Sequence, residues 1–180
     1  MIRKWWTEHT GASALLALLR IYLGWQWLVA GWHKLAAVKP FDATGFLNQA
    51  ITSPVAEKGT GAVLYPTFTA FIEHFALPNV KLINFMIPLG EFLVGLGLIL
   101  GWLTLTATFF GLLMNFMFMF AGTVSTNPWL ILFGFLIILG GANAGRFGID
   151  YYIRPFVNKT IARLRKGNTP VSSDHPNRPA

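Results

Sequence analysis

The chain has 180 residues, a net charge of +7, 54% apolar residues, a mean hydropathy of +0.53 and no cysteine. Its apolar share exceeds the roughly 45–50% usual for soluble domains, so lipid must cover much of its surface, and a nucleic-acid partner is excluded in so hydrophobic a chain. The missing thiols exclude a cysteine-ligated iron–sulfur cluster, c-type haem, a CxxC redox pair and a thiol nucleophile.

Arg3 and Lys4 precede a first apolar run. A basic start followed by such a run is the pattern of a signal peptide, but the run is about 20 residues long and no small-x-small site follows, so a retained helix over 11–32 is expected. Residues 33–80 form a long loop. In it "FDATGFLNQAI" predicts a short helix with Asp42 as N-cap. "YPTFTAFIEHFAL" sets Phe68, Phe71, Ile72 and Phe75 on one helical face. Three further apolar runs predict spans over 81–102, 104–122 and 128–144, joined by links so short that the helices must be antiparallel neighbours. "RPFVNKTIARLRK" opposes Val157, Ile161 and Leu164 to Lys159, Arg163 and Lys166, an amphipathic surface helix over 155–166. The Pro/Ser/Asn-rich tail over 167–180 reads as disordered.

The expected architecture is therefore an all-α integral membrane protein. Residues 1–154 form a four-transmembrane-helix bundle, with short helices in the extracytoplasmic cap 33–80. An even number of spans puts both termini on one side, and their Lys/Arg clusters put that side in the cytoplasm of a multi-pass cell-membrane protein. Trp32 and Trp129 then sit at the outer interface, and Trp5, Trp6, Trp102, Tyr151 and Tyr152 at the inner one.

Three spans carry a strongly polar residue near the midplane. With a 1.5 Å rise, Arg20 lies roughly 12 Å and Glu91 roughly 16 Å from the inner end, with Asn115 at a similar height. A lone charge there costs at least ~2.5–3.5 kcal/mol, so an Arg20–Glu91 ion pair is expected, with Asn115 as third member. Arg20, Gly24, Trp27 and Gly31 share one face, as do Asn84, Pro88, Glu91 and Gly95, and Ala107, Gly111, Asn115 and Gly122. Pro88 also frees the Asn84 carbonyl from the helical ladder. Such a network can fix helix register or line a ligand pocket or proton path.

Other signals are weaker. His33 and His74 fall on the outer side without a metal-ligand pattern, so no metal site is expected. Arg146 and Asp150, four apart, suggest a surface pair. "GLILG" and "GANAG" allow close packing within the bundle or in a homo-oligomer, and "MNFMFMF" reads as lipid-facing packing.

The segments "LRIYLGWQWLVAGWHKL", "PLGEFLVGLGLILG", "NFMFMFAGTVSTNP" and "GRFGIDYY", in that order, resemble the DoxX/DoxD family of membrane proteins, the long loop and "STNP" turn being closer to the DoxD branch. The resemblance implies a membrane subunit of a thiosulfate:quinone oxidoreductase-type system, passing electrons to membrane quinone beside a partner redox subunit. In that reading Glu91 and Arg20 would be catalytic, and Asn115, Trp27, Asn84 and His33 would bind quinone. Trp25, Trp27 and Phe116 would supply ring walls, and His33, Lys34 and Lys39 would attract thiosulfate. The alternative is a non-enzymatic membrane protein, either a small-solute transporter or an anchor for a partner enzyme.

Overall fold

The structure is a computed structural model, and it describes residues 1–167. Eight α-helices run in order: α1 Ile2–Glu8, α2 Thr10–Leu35, α3 Thr44–Thr52, α4 Pro66–Phe71, α5 Val80–Leu100, α6 Thr104–Phe120, α7 Asn127–Gly140 and α8 Ile149–Gly167. A π-turn (Ile72–Ala76) follows α4 and a 3-10 turn (Gly141–Gly145) follows α7. Three segments are long and apolar enough to cross a membrane: Thr10–Leu35, Val80–Leu100 and Asn127–Gly145. The fourth apolar helix, α6, is shorter at 17 residues. The tail expected to be disordered lies, from residue 168 on, outside the described residues, as do the side chains of Ile161, Arg163, Leu164 and Lys166.

Helix α2 packs on α5 and α7, and α6 packs on the same two helices, giving the cyclic order α2–α5–α6–α7. The α2–α5 contact is the most extensive in the molecule, and its closeness comes from glycine. A Cβ on Gly24 would stand 2.9 Å from the Gly95 carbonyl oxygen, and one on Gly31 or Gly95 would strike the backbone of Phe92 or Leu28. The two backbones touch, in keeping with the small-residue faces.

The link between α5 and α6 is three residues long. Gly101 ends α5 at φ 64°, with Trp102 N–H donating to the Gly97 carbonyl (2.9 Å) and Gly101 N–H to the Leu98 carbonyl (3.3 Å), the paired bonds of a Schellman stop. The start of α6 is capped from a distance: Asp150 Oδ1 and Oδ2 accept from the Leu103 and Thr104 amides at 2.7 and 2.9 Å. The Asp150 amide donates in turn to the Gly101 carbonyl (2.8 Å). The expected Arg146–Asp150 pair therefore does not form; Arg146 instead donates to the Glu8 carbonyl at 3.2 Å. A carboxylate facing two orphan helical amides gains more there than from an exposed ion pair.

Helix α1 lies outside the elements expected from the sequence. His9 breaks it from α2 and caps α2 by accepting from Gly11 N–H (3.0 Å). Asn143 holds the break, donating to the Trp6 and His9 carbonyls (3.0 and 3.1 Å) and accepting from Ser13 Oγ (2.5 Å). Trp6 therefore turns inward, its indole N–H donating to the Leu136 carbonyl at 3.0 Å.

At the opposite end the loop folds over the helix mouths around Ala43, Leu47, Ala50, Ile72 and Ala76. The N-cap of α3 is Ala43 rather than the expected Asp42, although Asp42, one residue earlier, accepts from the Thr44 amide (3.0 Å) and hydroxyl (2.6 Å). The Thr44 hydroxyl bond is the main reason its carboxyl is held below the usual carboxylate range. The aromatic face beyond it is corrected by the π-turn. Ile72 and Ala76 are buried, but Phe71 and Phe75 are exposed and stack on each other at 5.3 Å, because an i to i+5 bond (Leu77 N–H to Ile72, 2.9 Å) widens that turn and rotates the 3.6-residue face.

Replacing Asp150 by alanine removes both distant cap bonds and is expected to cost about 1–2 kcal/mol, read as a lowered unfolding midpoint of the detergent-purified chain. Arg146→Ala, which removes one exposed bond, is expected to leave the midpoint nearly unchanged.

Candidate functional site

Arg20 and Glu91 are both almost fully buried, at 1% and 2% exposure, yet they do not meet. Arg20 Nη1 donates to the Ala144 carbonyl at 3.0 Å and Nη2 to the Phe147 carbonyl at 2.7 Å. Its guanidinium lies against Gly101 and Gly148: a Cβ on Gly148 would come within 2.8 Å of Nη1 and 2.7 Å of the Gly101 Cα. Glu91 instead takes Lys34, whose Nζ lies 2.6 and 2.5 Å from the two carboxylate oxygens. Lys34 is 30% exposed, with its ammonium 5.6 Å from the Phe41 ring centroid.

This corrects the expected Arg20–Glu91 pair, and the reason is geometric. Gly24 faces Gly95 and Gly31 faces Phe92 across the antiparallel α2–α5 seam, so Glu91 lies level with the turn after Trp27 and Arg20 lies level with Gly101. Ten residues of α5 separate those levels, about 15 Å. Side chains also lean toward the N-terminus of their own helix. On antiparallel helices that lean parts Arg20 from Glu91 and brings Lys34 toward Glu91. The signal was in the sequence, since Lys34 continues the stripe Arg20, Gly24, Trp27, Gly31; ending the span at Trp32 concealed it.

Glu91 and Lys34 line a cavity of about 420 Å³ together with Trp27, Phe41, Phe118 and Asn127. Trp27 is buried, its ring 6.5 Å from that of Phe118, and its Nε1 has no hydrogen-bond partner. The Asn115 Oδ1 on α6 is likewise buried and unpartnered. It lies one turn from Gly111, whose Cβ position is 3.2 Å from Trp27 Nε1. Both atoms are enclosed in the helix packing, and neither Gly111 nor Asn115 lines the cavity.

The other expected site residues fall elsewhere. Asn84 latches the loop, its Oδ1 accepting from the Ala43 amide (2.8 Å) and its Nδ2 donating to Asp42 (3.3 Å). His33 and His74 are exposed, and among the described residues no cluster of three metal-ligating side chains occurs. Trp25 is 58% exposed on the outside of α2, so it is no cavity wall. Phe116 packs on Phe120 and Phe135 rather than lining the cavity. Of the predicted residues, Glu91, Trp27 and Lys34 come together at the cavity, Lys34 having been expected to attract thiosulfate and not to pair with Glu91.

A second hollow, an apolar cleft of about 720 Å³, runs between α5 and α6 and shares Phe46, Ile87 and Phe118 with the polar cavity.

Long apolar helices packed around a buried carboxylate, paired with a lysine at a polar cavity, define a helical membrane protein. The chain belongs to the DoxD family: the family model described as TQO small subunit DoxD matches residues 15–167. No curated protein and no solved structure matches the chain.

Lys34→Met leaves Glu91 charged and unpaired in an apolar interior and is expected to destabilise the fold by about 3–5 kcal/mol. Adding Glu91→Met should recover most of that loss in a thermal melt. Arg20→Ala and Glu91→Ala should add to within about 0.5 kcal/mol, since the two side chains share no partner; a larger coupling energy would contradict their separation.

Proposed function

We propose that this chain is the membrane subunit of a thiosulfate:quinone oxidoreductase-type system and that the Lys34–Glu91 cavity receives the quinone headgroup. Four helices, α2, α5, α6 and α7, cross the cell membrane in this reading. The 17 residues of α6 reach about 26 Å, close to the ~30 Å hydrocarbon core, and local thinning absorbs the difference. The termini lie in the cytoplasm, where Arg3, Lys4, Arg146, Arg154 and Lys159 gather; at the other end Lys34 is already neutralised by Glu91.

The observation that carries the reading is the ion pair itself. A buried carboxylate held by a partly exposed ammonium at the wall of a cavity, instead of being packed over, is expensive unless the cavity uses it. The residues fit a quinone. Its ring needs apolar walls, and Phe41, Phe46 and Phe118 supply them. Its carbonyl oxygens need a donor, and Lys34 Nζ stands at the cavity wall to supply one. Reduction to quinol takes two electrons and two protons. Glu91 and Lys34 hold and pass protons at one carbonyl oxygen, while the electrons come from thiosulfate through the partner subunit. Arg20 has no part in this chemistry; it closes the far end of the helices.

The reading is tested on the chain with its partner subunit, by thiosulfate-dependent quinone reduction and by extraction of co-purified quinone. Glu91→Gln should lower kcat by about 10²-fold or more, the size of a lost acid–base group. Neither bound quinone nor activity in the complete complex would refute the assignment.

A further inference from the structure

The apolar cleft between α5 and α6 has no part in the headgroup chemistry. It is lined by the cap residues Phe68 and Ile72 at one end and by Trp102 at the other. Along α5 its wall runs from Ile83 to Gly97, about 21 Å at a 1.5 Å rise. Its floor is set where Gly97 meets Ala107, the Gly97 Cβ position lying 3.1 Å from the Ala107 Cβ. At Gly90 the wall is bare, and the nearest atom to a Cβ there is the Met114 sulfur at 3.3 Å. Met86 and Met117 also line the cleft, and thioether side chains adapt readily to an irregular guest.

Resting on the quinone reading, we infer that this cleft is the tail channel of the site: it takes the isoprenoid chain of a long-tailed quinone and admits the headgroup sideways from the lipid. The cleft and the polar cavity lie side by side, with Phe46, Ile87 and Phe118 lining both. The shared residue on α5, Ile87, is one turn from Glu91. A quinone ring seated between Lys34 and Glu91 would bring its hydrocarbon tail to this shared wall, against the apolar cleft. Lipid tails are as apolar as the cleft, so the channel adds little affinity. What it provides is room for the tail when the ring is seated.

The test compares two quinones with the same ring, one without a tail and one with several isoprene units. Their Kd values are measured by tryptophan fluorescence quenching of the full chain in nanodiscs. Gly90→Leu plugs the cleft from α5 and Met114→Phe plugs it from α6, so one remains informative if the other misfolds; Leu139→Phe, on an exposed face of α7 outside the cleft, is the control. Each plug is expected to weaken binding of the tailed quinone at least about tenfold and to change binding of the tailless one less than about twofold. Tailed-quinone binding unaffected by either plug would overturn the channel, leaving the cleft to bilayer chains or a partner helix. Equal loss of both quinones would also overturn it, because the plugs would then act on the ring site. If wild type binds neither quinone, the headgroup assignment itself fails.

Discussion

The direct backbone contact of α2 with α5 governs the rest of the molecule. Gly24, Gly31 and Gly95 let two apolar helices touch over several turns, and a contact that close permits one register only. The register in turn fixes which charges can meet. It brings Lys34 down to Glu91 and carries Arg20 away to the Gly101 turn. In an apolar medium an unpaired charge is intolerable, so each needs a partner at its own level: a carboxylate for Lys34, two backbone carbonyls for Arg20.

The two ends of the helix assembly are finished in different ways. At the termini, Arg20, Asn143 and Asp150 tie four separate segments together through backbone groups that helix ends leave unsatisfied. Gly101 and Gly148 leave space for the guanidinium, and a hollow of about 670 Å³ lined by Arg146, Asp150 and Arg154 lies at the same end. At the loop end the closure is a lid of short helices, latched by Asn84 to Asp42 and Ala43. Beneath it lie the polar cavity and the unpartnered Trp27 and Asn115 atoms.

The sides also differ. Glycine seals the α2–α5 seam, while α5 and α6 draw close at Gly97 and Ala107, near their tight link, and leave a cleft along the rest. Phenylalanine and methionine line that cleft, and their bulk holds the helices apart where glycine would let them close.

The sequence alone determined the helical class and, within a turn, the apolar helices, because length and hydropathy are local properties. It also marked the glycine faces and the burial of Arg20, Glu91 and Asn115, because a small or polar residue in an apolar run has few places to go. The family resemblance rested on those same runs. What it could not determine was pairing. Arg20 with Glu91 and Arg146 with Asp150 were the partners that depth and spacing offered, and both were replaced by partners distant in sequence. The α1–α2 break at His9 also depends on Asn143, which arrives from elsewhere in the chain. Pairing is a tertiary decision because axial register and side-chain lean, each worth several ångströms, decide which buried groups come within hydrogen-bond reach.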